Sequence, residues 1–190
     1  MSVFQIDNDF ITRLKSLIAE GKTARIQQLL HDIHYADLAE IFTLLSSQES
    51  THLIKILDSN KTADALAEID EDLRETLLQN LYAEEIAEEI QELDTDDAAD
   101  LIAELPDALQ EDVISAIEDD TYVEDLRELL AYDDNSAGGL MAKELVKVQE
   151  DLSVLKCINT IRKQAQDVTR VHSIYVVDKK NCLKGRLSLK

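Results

Sequence analysis

The chemistry open to this chain starts with its carboxylates. Between Glu84 and Asp134, 51 residues hold 21 Asp or Glu against one basic residue, Arg127. Such a field collects cations and repels nucleic acid and anionic lipid. An acidic helical surface that only keeps a protein in solution is the plainer alternative. Disorder is the usual reading of so acidic a run, but aliphatic residues recur throughout it. Other chemistry is thinly represented. His31 and His34, three apart, could hold zinc with His52, yet no cysteine joins them, and solvated or packing roles suit them better. Asp94-Thr95-Asp96 has the D-x-D form of sugar-nucleotide transferases, without the nucleotide-binding strand that should precede it. No Ser or Cys nucleophile stands at a telling spacing from a base, and no glycine loop could cradle phosphate. The chain therefore reads as no enzyme. Cys157 and Cys182 lack metal-ligand spacing and read as free thiols in a reducing compartment.

The elements that must carry these carboxylates are written in a repeat. From Ile33, steps of twelve residues meet Leu45, Leu57, Ile69, Leu81, Leu93, Leu105, Ile117 and Leu129. From Leu30 they meet Phe42, Ile54, Leu66, Leu78, Ile90, Ile102, Ile114 and Leu126. A third series runs Leu29, Ile41, Leu53, Ala65, Leu77, Glu89, Leu101, Val113, Asp125, apolar except at Glu89 and Asp125. Each unit thus shows one apolar face of a short helix. One long helix cannot hold the pattern, because twelve residues at about 100° each overshoot three whole turns by about 120°. The chain must turn between units. The connectors agree: Asp58-Ser59-Asn60-Lys61, Asp94-Thr95-Asp96-Asp97, Pro106-Asp107-Ala108 and Glu118-Asp119-Asp120-Thr121 are polar and rich in helix caps. The expectation is a mostly α fold, a right-handed superhelical stack of short helices over roughly residues 5–131, each burying its face against its neighbours. Phe10, Ile11, Leu14, Leu17 and Ile18 mark a first amphipathic helix that ends at Gly21.

After Asp134 the pattern changes. Asn135-Ser136-Ala137-Gly138-Gly139 holds two of the four glycines. Leu145–Val148 reads as a strand, Leu152–Gln164 as a helix, Ile174–Val177 as a strand, Asp178–Asn181 as a turn and Leu183–Leu189 as a strand. The order is β-α-β-β. The chain stops on that last strand, so the expectation is a truncated domain over 142–190 that is mobile, domain-swapped, or paired with another molecule through an Ile174–Val177 edge. No run of about 18 apolar residues could span a bilayer. The early Asp7 and Asp9 argue against a signal peptide.

Tyr132-Asp133-Asp134-Asn135-Ser136-Ala137-Gly138-Gly139-Leu140-Met141 resembles the junction of MgtE magnesium transporters, where an acidic run ending in AGGLM joins the helical N domain to the first CBS domain. Tyr175-Val176-Val177-Asp178 and Leu183–Leu189 resemble the paired strands of that CBS domain, and Asp96-Asp97-Ala98-Ala99-Asp100 resembles the family's DDxAD segment. The resemblance implies an acidic helical-repeat N domain over 1–131, a junction over 132–141 and a truncated first CBS domain over 142–190. It also implies a cytoplasmic regulatory region of a cell-membrane protein. There Mg2+ bridges N-domain and CBS surfaces and favours the closed pore. The remaining CBS and transmembrane domains would be its partners, in a homodimer and without nucleic acid. Asp64, Asp96 and Asp100 match ligand positions; Asp97 is a neighbour of them, and Gly139 matches a backbone position near a bound ion. Asp96 and Asp100, four apart, share one face where a helix begins. Asp64 and Asp100 differ by three twelve-residue steps, so a regular array displays them on the same kind of edge. Magnesium takes one or two carboxylates and keeps several waters, which suits such a surface. A solvated or helix-capping role is the plain reading of any single Asp here. CBS domains often bind adenine nucleotides in paired clefts, which half a domain is not expected to do. The alternative is a helical-repeat interaction scaffold like the flagellar switch protein FliG. A purely helical scaffold would not run into a β-α-β-β segment.

Overall fold

The computed structural model describes residues 6–133, 135–165, 168, 171 and 173–188. Asp134 of the junction run and Leu189 of the expected last strand lie outside them. Among the described residues ten short helices come first: α1 (Asn8–Ala19), α2 (Thr23–Leu30), α3 (Tyr35–Leu44), α4 (Ser47–Ile56), α5 (Ser59–Glu68), α6 (Glu71–Leu78), α7 (Ala83–Ile90), α8 (Thr95–Ala103), α9 (Asp107–Ala116) and α10 (Asp120–Leu129). They are followed by β1 (Val146–Gln149), α11 (Val154–Gln164), β2 (Ile174–Val177) and β3 (Leu183–Leu187). The chain divides into two compact units, one comprising Met1–Leu93 with Asp97–Arg127, the other Asp94–Asp96 with Glu128–Lys190.

The twelve-residue spacing is realised as helices of eight to ten residues from α2 to α10. Connectors stop each helix by local chemistry. Ser46 and Glu49 close a capping box at α4, and Asp58 and Asp70 accept backbone N–H bonds at the starts of α5 and α6. Pro106 immediately precedes α9, and Asp119 accepts from the N–H groups of Thr121 and Tyr122 at α10. Helix α1 ends on Gly21 at φ 64°, with Lys22 N–H donating to Leu17 O and Gly21 N–H to Ile18 O. That is the left-handed C-terminal turn that favours glycine.

The nine residues of the Leu30 series are all buried. In the Ile33 series, Leu45 and Leu57 are half-buried and the other seven buried. In the third series Glu89 is as buried as the aliphatic residues that hold its place in other units. The stacking differs from simple neighbour-on-neighbour packing. Helix α3 packs on α5, α5 on α7, α7 on α9, and α4 on α6. Each connector turns the chain, and a second turn brings it back, so the spatial repeat is a helix pair spanning two sequence units. Polar contacts span a similar interval: Lys61 Nζ donates to the carbonyls of Leu30 and His31 at 2.6 and 3.0 Å, and the Tyr122 hydroxyl reaches the carbonyls of Ile90 and Leu93 at 2.7 and 2.9 Å. Both bring a side-chain donor to carbonyls at the end of a helix, two of which also accept a backbone N–H. Leu66 and Ile102 are fully buried. Leu66→Ala or Ile102→Ala should therefore lower unfolding free energy by about 2–5 kcal/mol in urea titration, through lost burial and the cavity left behind.

In the second unit β1 pairs parallel with β2, and β2 antiparallel with β3. Val146, Val148 and Ile174 form its core, with Cys157 and Ile161 of α11 packed against them. The β-α-β-β order is thus as the sequence predicts. The expected Ile174–Val177 edge is not: β2 is the central strand, and the edges are β1 and β3. The parallel return of α11 places β2 beside β1, and the tight turn at Asp178 then folds β3 back onto its other side. Asp178 accepts from the N–H groups of Lys180 and Cys182, and Asn181 takes φ 61°.

Candidate functional site

Helix α8 carries most of the candidate carboxylates because Thr95-Asp96-Asp97 is a helix start. Thr95 is 1% exposed. Its N–H donates to Glu144 Oε1 at 3.1 Å and its hydroxyl to Glu144 Oε2 at 2.9 Å, while Lys143 N–H donates to the same hydroxyl at 3.0 Å. A carboxylate gripping the first residue of α8 takes up an open backbone donor and meets the positive end of the helix dipole. Lys143 Nζ in turn lies 2.6 Å from Glu128. That hydrogen bond holds the Glu128 carboxyl below its usual range.

Asp96, Asp97 and Asp100 lie on α8, Asp96 half-buried and the other two exposed. Asp64 is half-buried on α5, and Gly139 is half-buried after α10, its N–H donating to Ser136 Oγ at 3.1 Å. Asp64, Asp97 and Asp100 belong to the first unit, Asp96 and Gly139 to the second. Among the described residues no three His, Cys, Asp or Glu side chains converge to hold a metal ion. His31, His34 and His52 form no metal-holding group among the described residues: the His31 ring bonds Asp32 at 2.7 Å, His34 accepts from Ala36 N–H at the start of α3, and His52 sits in α4. The glycine before Gly139 has a plain steric reason. A Cβ on Gly138 would lie 2.5 Å from ring atoms of Tyr132, so the junction's aromatic residue packs where only glycine fits.

Sequence reasoning missed Thr95 and Glu144 as a pair. The D-x-D spacing drew attention to Asp94 and Asp96, whereas the middle residue makes the contact, with a partner 49 positions away. It also missed Glu89, although the break that it, like Asp125, makes in a mostly apolar series is visible. Glu89 is 5% exposed, and the Thr62 hydroxyl lies 2.6 Å from its Oε2. Burial pushes its carboxyl up to about 8 against the opposing Thr62 hydrogen bond, with Glu88, Glu92 and Asp58 adding to the rise.

The sequence profile of the MgtE intracellular N domain matches residues 33–135, more than half of the chain. The chain belongs to that family. The profile of the CBS domain matches residues 137–190. This MgtE N-domain chain is 44% identical over 62 residues to the magnesium transporter MgtE of Thermus thermophilus and 34% identical over 62 residues to that of Enterococcus faecalis. Each stretch covers 33% of this chain and 14% of the relative. Among solved structures, one described as the cytosolic domain of the Mg2+ channel MgtE in complex with ATP superposes with a TM-score of 0.84 at 29% identity, over 94% of this chain and 73% of that one. A second, described as the soluble part of a magnesium transporter, shares the fold with a TM-score of 0.80 at 24% identity, over 95% and 71% of the two chains. Among the described residues no helix is long and apolar enough to cross a membrane.

Proposed function

We propose that this MgtE-family chain is the cytoplasmic magnesium-sensing region of a magnesium channel or transporter, in which Mg2+ bridges acidic N-domain and CBS surfaces and favours the closed pore. The observation that carries the reading is the Glu84–Asp134 run, 21 carboxylates against one arginine, in a chain of this family. On this reading residues 1–131 form the acidic N domain, 132–141 the junction and 142–190 part of the first CBS domain. Asp64, Asp96, Asp97, Asp100 and Gly139 are the proposed magnesium-responsive positions. The partners are the remaining CBS and pore domains of the same transporter, in a homodimer, and no catalytic role is proposed. Without the ion, like charges on facing surfaces repel. With it, the closed arrangement gains only by the margin with which Mg2+ prefers it over the open one.

Millimolar MgCl2 should move the amide resonances of Asp96–Asp100 and Gly139 more than those of Glu40 or Glu68. It should also stabilise the chain by about 1.4 kcal/mol at ten times Kd, by mass action. NaCl at matched ionic strength controls for screening, which acts on all exposed charge alike. Identical shift maps in the two salts would make the acidic stretch a solubility surface. In the intact transporter, Asp96→Asn with Asp100→Asn should weaken closure at high magnesium and leave conduction in place. Full magnesium inhibition after that double change would remove these residues from the site.

A further inference from the structure

The first two helices run against the charge of the acidic helical array that follows them. From Phe10 to Leu30 there are four basic residues and one acidic, in a chain of net charge −21. Three of the five are accounted for. Lys15 lies 3.8 Å from Glu49, Lys22 is ion-paired with Glu20, and Ser16 Oγ donates to Glu20 at 3.0 Å. Arg13 of α1 and Arg25 of α2 remain, although Arg25, behind Lys22 and Ser16, adds a weaker pull that helps hold the Glu20 carboxyl below its usual range. Neither guanidinium makes a hydrogen bond or ion pair among the described residues, although the chain holds 40 carboxylates.

Both arginines line one open cleft of about 430 Å3, together with Gln28, Leu17 and Leu29. Two guanidinium groups beside one hollow repel each other unless an anion lies between them. Each offers a planar fork of donors that matches a pair of oxyanion oxygens. A carboxylate has two oxygens and saturates one fork. A phosphate ester has enough oxygens and charge to engage both, and the Gln28 amide supplies a further donor. The apolar Leu17 and Leu29 give the rest of such an ester a dry surface. We propose that the Arg13–Arg25 cleft binds a phosphate-bearing anion, either free in solution or as the headgroup of a lipid.

The test uses the 190-residue chain and NMR of backbone amides and arginine Nε–H groups. Inorganic phosphate is titrated against NaCl of equal ionic strength. Vesicles of phosphatidylglycerol are then compared with phosphatidylcholine by co-sedimentation. For a free anion, phosphate should shift the Arg13 and Arg25 signals saturably. For a headgroup, only the phosphatidylglycerol vesicles should carry the chain down. In either case Arg13→Gln with Arg25→Gln should weaken binding by about tenfold or more, the loss of two charge-assisted contacts. Lys22→Gln, which removes a neighbouring cation already paired with Glu20, should leave binding within about twofold. Both arginines are exposed, so circular dichroism melting should be unchanged in the double variant. Phosphate shifts equal to those of chloride, together with no preference for phosphatidylglycerol, would overturn the proposal. Undiminished binding by the double arginine variant would do the same.

Discussion

Replacing Glu89 by Gln should remove a loss of stability on the order of 5 kcal/mol that the parent suffers between about pH 4 and pH 9. In the folded chain the Glu89 carboxyl titrates at about 8, against an ordinary 4.5. The folded state therefore keeps a proton that the unfolded chain gives up. Below about pH 4.5 both states hold it, and no penalty exists. As pH climbs from there to about 8 the unfolded state alone ionises and is favoured by about 1.4 kcal/mol per unit. Above that range both are ionised and the loss is complete. A glutamine amide in this place would keep a polar group for the Thr62 hydroxyl and never ionise. The other carboxylates are common to both proteins, so the difference between their urea-unfolding free energies across pH isolates this one group. Parallel pH profiles for parent and variant would show that Glu89 titrates normally and that water reaches it.

Arg74→Ala should cost about 3–5 kcal/mol, because it strands a carboxylate that has little access to water. Arg74 Nε and Nη2 donate to the two oxygens of Glu104 at 2.7 and 2.6 Å, with side chains only 13% and 17% exposed. Its Nη1 faces the carbonyls of Leu66, Ala67 and Ile69 at 3.1 to 3.2 Å, where α5 ends. One guanidinium thus pairs a charge and closes a helix terminus. Lysine offers a point charge and no fork, so Arg74→Lys should recover less than half of the loss. Arg74→Met with Glu104→Leu removes both charges and should lie well above Arg74→Ala in stability, short of the parent by the uncapped carbonyls. A loss below about 1 kcal/mol for Arg74→Ala would mean that water replaces the pair at little cost.

Both residues show where sequence reasoning reaches its limit. Glu89 stands at an apolar place of the repeat, so its burial follows from the same periodicity that buries Leu77 and Leu101. The periodicity is silent about Thr62, the group that meets it. Arg74 carries no signal at all: it is one of 19 basic residues, and its partner stands 30 positions on. Likewise the acidic character of α8 is plain in Asp96-Asp97 and Asp100, while the grip of Glu144 on Thr95 joins residues that no spacing rule connects.

Features set by local pattern could be read before any coordinate was known. The twelve-residue spacing dictates short helices, because no straight helix keeps such a stripe on one face. The capping residues place their starts, as at Asp58 and Asp119. The shift to alternating apolar residues after Gly139 announces strands. Which elements meet was settled only by the packed chain. From α3 to α9 the helices pair two apart because a second turn reverses the first, whereas α1 packs on α2 and α4. Strand β2 lies in the middle of its sheet because α11 returns the chain beside β1 and the turn at Asp178 then sends it back. Periodicity records which face of an element is buried, and burial is nearly indifferent to the identity of the covering apolar surface. The polar pairs are not indifferent, since each needs its partner within about 3 Å, and that distance exists only once the helices are stacked.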